Sequence, residues 1–337
     1  MTLKLSLTAA LGLATALTAM PATADVNVYS YRQQELIQPL IDAFTEETGI
    51  AVNVAFLNQG MVERLQAEGD RSPADVVLTV DISRLAELVD AGVTQPVESE
   101  VLTSQIPEAF RDPDNQWFGL TTRARIVYAS KERVAEGEVT TYEDLVDPKW
   151  QGRICIRSGT NAYNVALAGA VLHHHGEEGT KAWLEGLKAN LARKPQGNDR
   201  AQVKSIWAGE CDISLGNTYY MGAMVNDEEQ KEWADAVRIE FPTFENGGTH
   251  MNVSGMAMTK AAPNRDEALA FMEFLASDTA QALYAEAVYE YPVKEGVPNS
   301  ALVDSWGSFT PDDVNLMDVA RLRPDALKLI QIVDFDG

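Results

Sequence analysis

The residues of this 337-residue chain best suited to chemistry are an adjacent pair, Tyr219-Tyr220, a third tyrosine, Tyr163, the run His173-His174-His175, the cysteines Cys155 and Cys211, and the arginines Arg32, Arg123 and Arg125. An ionised phenol is an anionic oxygen donor, and hard, highly charged cations favour such oxygen over sulfur. A free tyrosine ionises only near about pH 10, so a phenolate at neutral pH needs a directly bound cation to displace its proton. Taken alone, adjacent tyrosines more often supply one core ring and one surface ring. The histidine run makes a poor ligand set, because consecutive helical residues point about 100° apart. Followed by Gly176, it reads as the closing turn of a helix, where positive charge is favourable. His250, in ENGGTHMNVSG, reads as a hydrogen-bonding residue of a chain crossing. Glu177-Glu178 and Asp227-Glu228-Glu229 read as solvated faces. Cys155 and Cys211 are too few for a soft-metal site; in an oxidising compartment they read as a structural disulfide whose pairing the sequence leaves open.

The elements that must position these groups follow an α/β pattern. Val26 to Tyr29 alternates like a strand; a helix follows from about Gln34, with Leu36, Ile37, Leu40, Ile41 and Phe44 on one face and Gly49 past its end. Ala51 to Phe56 alternates again, completing the strand-helix-strand unit of a parallel sheet. Met61 to Glu68 is predicted helical, Ala74 to Leu78 a strand covered on both faces, and Asp81 the cap of a helix ending at Gly92. Thr121 to Tyr128 reads as a long strand with Arg123 and Arg125 on one face. Tyr163 falls in the first turn of a helix with Thr160 as its expected cap, and Tyr219-Tyr220 open another after Asn217-Thr218. No internal repeat or low-complexity linker occurs, so two lobes are expected to share more than one crossover.

Residues 1–24, MTLKLSLTAALGLATALTAMPATA, have the layout of a secretory signal: Lys4, an apolar run, then small residues, with cleavage expected before Asp25. That address is periplasmic. No other stretch reaches the roughly 18 apolar residues of a membrane span, so no stable membrane insertion is expected. Removing Lys4 leaves 26 cationic side chains against 50 acidic ones, a formal charge of −24. Such a charge repels nucleic acid and anionic lipid and excludes them as partners. GxSxG, P-loop and HExxH patterns are all absent, which argues against an enzyme built on them.

The stretches VNVYSYRQQE, SPADVVLTVD, WFGLTTRARIVY, TYEDLVDPKWQGRI, GECDISLGNTYYMG and GGTHMNVSG resemble the periplasmic iron(III)-binding proteins of ATP-driven importers, within the wider type II solute-binding fold. Several mark only the broad superfamily. Tyr219-Tyr220 after Gly216-Asn217-Thr218 is similar to that family's metal-ligating pair, and Tyr163 in RSGTNAYN falls where one branch places a third phenolate. The resemblance implies a signal peptide at 1–24, domain one at 25–125 plus 250–300, and domain two at 126–249 plus 301–337. Each lobe would be a mixed sheet flanked by helices, with the ligand cleft between them. Two ligands of the family's octahedral arrangement are missing: Gln33 and Gln34 stand where many members have histidine, and Val80 where another branch has glutamate. The likeness then points to a three-tyrosine subgroup whose coordination is completed by carbonate, bicarbonate, another small anion or water. Arg32, Gln33, Arg123, Thr160, Asn198 and Asn217 are the expected anion or neighbouring positions. The implied function is a monomeric carrier that hands Fe(III) to an inner-membrane permease and its ATPase. A polyamine, thiamine or Fe(II) cargo is the alternative.

Overall fold

The computed structural model describes residues 24–32, 34–57 and 59–337, with the side chains of Gln34 and Glu35 excluded; residues 1–23 of the expected signal, and Gln33, lie outside the described residues. Nine strands are present among the described residues, in the order β2-β1-β3-β8-β4-β6-β5, with β7 and β9 also pairing to β4. They are β1 (Val26–Ser30), β2 (Val52–Phe56), β3 (Val76–Thr79), β4 (Phe118–Ser130), β5 (Ile154–Cys155), β6 (Ile213–Asn217), β7 (Val237–Glu240), β8 (Met251–Met258) and β9 (Tyr291–Pro292). β1 pairs in parallel with β2 and β3, as the opening strand-helix-strand unit requires; β3 with β8 and β8 with β4 are antiparallel. The intervening helix Gln34–Thr48 buries Ile37, Leu40, Ile41 and Phe44, the stripe read from its periodicity.

The molecule is two-lobed, and β4 explains how the lobes are joined. Its first half, Phe118 to Ala124, pairs with β8 in the sheet of the first lobe. Its second half, Arg125 to Ser130, pairs with β6 and β7 in the sheet of the second. All thirteen residues are buried, so this strand is covered in both lobes. The segment entering β8 crosses back beside it: Arg125 N–H donates to His250 O at 2.9 Å, and Thr249 bridges to Pro311, bringing a third crossing segment alongside. The expectation of several crossovers is therefore met.

Each lobe has apolar clusters on both sheet faces. Phe44, Phe118, Phe271 and Phe274 anchor one side of the first lobe, and Leu85, Leu88, Trp117 and Val253 the other. In the second lobe, Trp150, Leu167, Trp183 and Leu215 form one cluster, and Ile206, Tyr128, Met221 and Met224 another. The helix Leu316–Arg321 contributes to both lobes, placing Leu316, Met317 and Ala320 in the first and Val319 in the second.

One local reading needs revision here. The helix around Trp183 and the helix that carries Tyr163 are separate, as read, divided within Ala162–Ala189 at Gly176, whose φ of 68° is non-helical; the revision concerns the cap of the Tyr163 helix. Its N-cap is Asn161, whose Oδ1 accepts from Tyr163 N–H at 3.1 Å, and not Thr160, which is exposed and hydrogen-bonded to Ser158. Asn161 wins because its extended backbone puts the carboxamide oxygen within reach of the second helical N–H. Cys155 at the end of β5 and Cys211 before β6 are joined as a disulfide with Cα atoms 5.8 Å apart. It closes a loop of 56 residues, so Cys155→Ala/Cys211→Ala should lower stability by about 2–4 kcal/mol. Urea unfolding of the two proteins checks this: the midpoint should fall and the slope should rise, since the unfolded chain expands once the cross-link is gone.

Candidate metal centre

Tyr219 and Tyr220 begin the helix Tyr219–Val225 directly after β6. The end of β6 is pinned from below, where Tyr128 Oη donates to the Asn217 carbonyl at 2.6 Å. The ring reaches that far because position 216 is glycine; a Cβ there would lie 2.2 Å from Tyr128 Cε2. From across the lobe, Tyr163 projects from the first turn of its helix, so that its hydroxyl and that of Tyr219 lie 3.2 Å apart. The rings of Tyr219 and Tyr220 are 4.2 Å apart between centroids. The structure thus gathers the three sequence-predicted tyrosines, all half-buried, into one cluster.

Electrostatics keep the pair protonated in the absence of a cation. Burial raises Tyr219 well above the ordinary phenol range, and the neighbouring Tyr163 and Tyr220 raise it further, against an opposing pull from Arg123. Burial likewise raises Tyr220, reinforced by Asp199 and Tyr163. Such a cluster ionises only when positive charge arrives among the oxygens.

The walls around it hold two matching charge clusters. In the first lobe, Arg32 and Arg123 flank Glu290, which is fully buried. Arg32 Nη2 contacts both carboxylate oxygens at 3.0 and 3.1 Å and Ser254 Oγ at 2.6 Å. Arg123 donates through Nη2 to Ser254 Oγ at 2.9 Å and to Val80 O, while its Nε lies 3.6 Å from Glu290. Thr121 donates its hydroxyl to the same carboxylate. Burial opposes the charge of Glu290, yet Arg123 and Arg32 outweigh it and hold the carboxyl below its usual range. In the second lobe, Arg125 and Arg157 flank Asp199, also fully buried; Arg125 contacts it at 2.8 Å and further binds Asn164 Oδ1 at 2.5 Å and Asn217 Oδ1 at 3.1 Å. The Arg157 guanidinium sits 5.6 Å from the centre of the Tyr163 ring. Two guanidiniums around one carboxylate leave one net positive charge in each cluster.

Donor capacity remains on the first-lobe arginines. Arg32 Nε, Arg123 Nε and Arg123 Nη1 are buried without a hydrogen-bond partner among the described residues, as is Asn217 Nδ2 in the second lobe. Buried N–H groups of this kind fit an anionic or carbonyl oxygen.

The other sequence-derived positions divide. Arg123 and Arg125, expected on one strand face, are both buried, and the junction between the two sheets falls between them. Asn217 lies beneath the tyrosine helix, in contact with Arg125. Asn198 is exposed and caps the helix Asp199–Trp207, accepting from Ala201 N–H at 3.0 Å. Thr160 is exposed, and Gln33 lies outside the described residues. The histidine run is used structurally: His174 Nε2 is 2.8 Å from Asp312 and stacks on Phe244, and His175 Nε2 is 2.5 Å from Glu143. His250 is buried, with burial pushing its pKa down to about 4 and keeping it neutral near pH 7. Among the described residues no group of three or more His, Cys, Asp or Glu side chains is arranged to hold a metal. Sequence reasoning missed Asp199, Arg157, Asn164, Glu290 and Ser254. The one available signal was Glu290 in AVYEYPV, a carboxylate among apolar neighbours.

Residues 71–308 match the family described as bacterial extracellular solute-binding protein. The chain is 45% identical to iron uptake protein A1 of Synechocystis sp. over 309 residues, covering 91% of this chain and 86% of the relative. Among solved structures, ferric iron-binding protein A of Mannheimia haemolytica in an open conformation is 53% identical, with a TM-score of 0.89, covering 94% of this chain and 100% of that one. A Trichodesmium protein in complex with iron and citrate is 40% identical, with a TM-score of 0.89, covering 93% and 99%.

Two measurements test the electrostatics of this site. In the metal-free protein, ultraviolet titration should show Tyr219 and Tyr220 silent at about pH 10, where ordinary tyrosines ionise. Tyr219→Phe/Tyr220→Phe should then leave the absorbance rise near that pH unchanged. Asp199→Asn should destabilise the protein by about 3–5 kcal/mol, because it leaves the buried Arg125, and beside it the half-buried Arg157, without their shared counterion. Denaturant unfolding reads that loss.

Proposed function

Because the chain belongs to the bacterial extracellular solute-binding protein family, we propose that it is the binding component of an iron importer, holding Fe(III) through Tyr163, Tyr219 and Tyr220. The observation that carries this reading is the meeting of three phenols, with two hydroxyls 3.2 Å apart, beside four arginines and only two carboxylates. Three phenolates balance a trivalent ion, whereas a divalent ion would leave excess negative charge in a poorly hydrated site. Names of relatives support the cargo: one is an iron uptake protein, another a ferric iron-binding protein. An organic cation would need free carboxylates, and Glu290 and Asp199 are already engaged by arginines.

The charge balance also supports an accompanying anion. With the ion neutralised by phenolates, the arginine clusters keep two positive charges between them. A small dianion such as carbonate would match them and would use the unpaired N–H groups of Arg32 and Arg123 in the first lobe. Thr160 and Asn198, both exposed, are weaker candidates for contact with it than Asn217, whose Nδ2 is buried and unpaired among the described residues; Gln33, outside the described residues, stays a candidate. Because the tyrosines belong to the second lobe and Arg32 and Arg123 to the first, the anion would bridge the cleft. Ion and anion together would favour the closed form by contacting both lobes.

In this reading the lobes expected at residues 25–125 with 250–300 and at residues 126–249 with 301–337 move as two units about the crossing strands, the division within β4 falling between Ala124 and Arg125. The closed form would be what an inner-membrane permease and its ATPase receive. Secretion by residues 1–24 and a monomeric state complete the proposal. No helix among the described residues is long and apolar enough to cross a membrane.

Citrate-stripped mature protein, titrated with Fe(III) and bicarbonate, should develop a visible phenolate charge-transfer band that saturates at one iron per protein. Tyr219→Phe/Tyr220→Phe should abolish it; a protein that stays colourless sinks the reading. Binding must also release the phenol protons. Apparent affinity should therefore rise with pH between about pH 5 and 8, by about 2–3 decades per unit if two to three protons leave. Titrations in a metal-buffered series measure that slope, and a flat profile contradicts phenolate ligation.

A further inference from the structure

We propose that Tyr289 is a positioning residue for this site, holding the helix that bears Tyr219 and Tyr220 against the first lobe. The inference rests on the three-tyrosine reading above.

Tyr289 closes the helix Asp278–Val288, donating its N–H to Ala285 O at 2.9 Å, with φ 55° and ψ 37°. That is the left-handed conformation glycine ordinarily supplies after a helix, and a tyrosine persists there only where its surroundings over-determine it. What surrounds it belongs to the other lobe. The ring lies on Gly222: a Cβ at that position would come within 2.3 Å of Tyr289 Cγ, so any side chain there must displace the ring. Its hydroxyl accepts from Asn226 Nδ2 at 3.0 Å, and the same amide donates to Gly222 O at 2.9 Å. Gly222 stands three residues after Tyr219 and Asn226 caps that helix at its far end, so the contact grips the helix from its middle to its end.

The next residue makes the contact bear on the site. Glu290 is lodged between Arg32 and Arg123, and Tyr291 then pairs with Thr122 of β4. One short segment therefore carries both the ring seated on the tyrosine helix and the carboxylate that fixes the arginine pair. It sets the spacing between the phenols of the second lobe and the guanidiniums of the first, the gap an anion would bridge. Losing the ring leaves all three phenols in place but frees that spacing.

The test is iron release from the full mature protein to excess EDTA in bicarbonate buffer, followed by stopped-flow loss of the visible band. Tyr289→Gly removes the ring while giving the backbone the residue its conformation favours, so the fold and the helix end are kept. Gly222→Ala displaces the ring with Tyr289 retained. Both should speed release by about five- to a hundredfold with the band unmoved, since the coordinating oxygens are untouched. Tyr289→Phe, which loses only the Asn226 hydrogen bond, should fall between them and the parent. Unchanged release in both Tyr289→Gly and Gly222→Ala, whatever happens to their melting temperatures, overturns the proposal, as does a shifted band, which would place Tyr289 in the coordination itself. A parent protein without any iron band overturns the three-tyrosine reading instead, and this inference with it.

Discussion

The arrangement depends on keeping two arginines charged inside one buried strand. Arg123 and Arg125 stand two residues apart on β4, each nearly without solvent exposure, at the point where the strand leaves one sheet and enters the other. An unpaired guanidinium buried at such a place would be strongly destabilising. Each therefore draws a carboxylate from elsewhere in its own lobe, Glu290 for Arg123 and Asp199 for Arg125, and each carboxylate draws a second arginine. The result is two positively charged walls meeting at the junction of the lobes. Asn164, Asn217, Ser254 and Thr121 serve these clusters as hydrogen-bonding neighbours, which explains why so many polar side chains are buried there.

Such walls explain why phenols suit the cleft better than carboxylates would as iron ligands. A carboxylate facing these arginines would be ionised at all physiological pH and would pair with them. Phenols that burial and mutual repulsion hold above their usual range remain neutral until a cation arrives. Tyr219 and Tyr220 therefore stay neutral when the proposed site is empty and become anionic only around its cargo. The same property would favour release, since restoring protons to the phenols opposes rebinding.

Much of the fold was legible before any coordinates. The helix Met61–Glu68 matches its predicted ends, and Asp81 caps the next helix as expected, accepting from Ser83 N–H at 2.9 Å, because periodicity and capping are local properties. The tyrosine cluster was legible only through family likeness. Nothing in the spacing of Tyr163 and Tyr219 says that their hydroxyls meet, since that contact is made by tertiary packing across 56 residues. Of the two carboxylates, Glu290 showed only as an acidic residue among apolar neighbours, and Asp199 was not legible. Asp199 looks like an ordinary acidic residue in the first turn of a helix, and its burial between arginines from β4 and from the segment after β5 is a long-range property. That Asn161 and not Thr160 is the cap was not legible, because both residue types cap helices and only backbone geometry separates neighbours.

The most direct test of the central claim is a crystal structure of the iron-loaded protein with diffraction recorded at the iron absorption edge. The account predicts a single anomalous peak at coordination distance from the hydroxyl oxygens of Tyr163, Tyr219 and Tyr220, with a small anion between it and the Arg32–Arg123 pair. A peak elsewhere, with the Tyr219 hydroxyl still hydrogen-bonded to that of Tyr163, would contradict it.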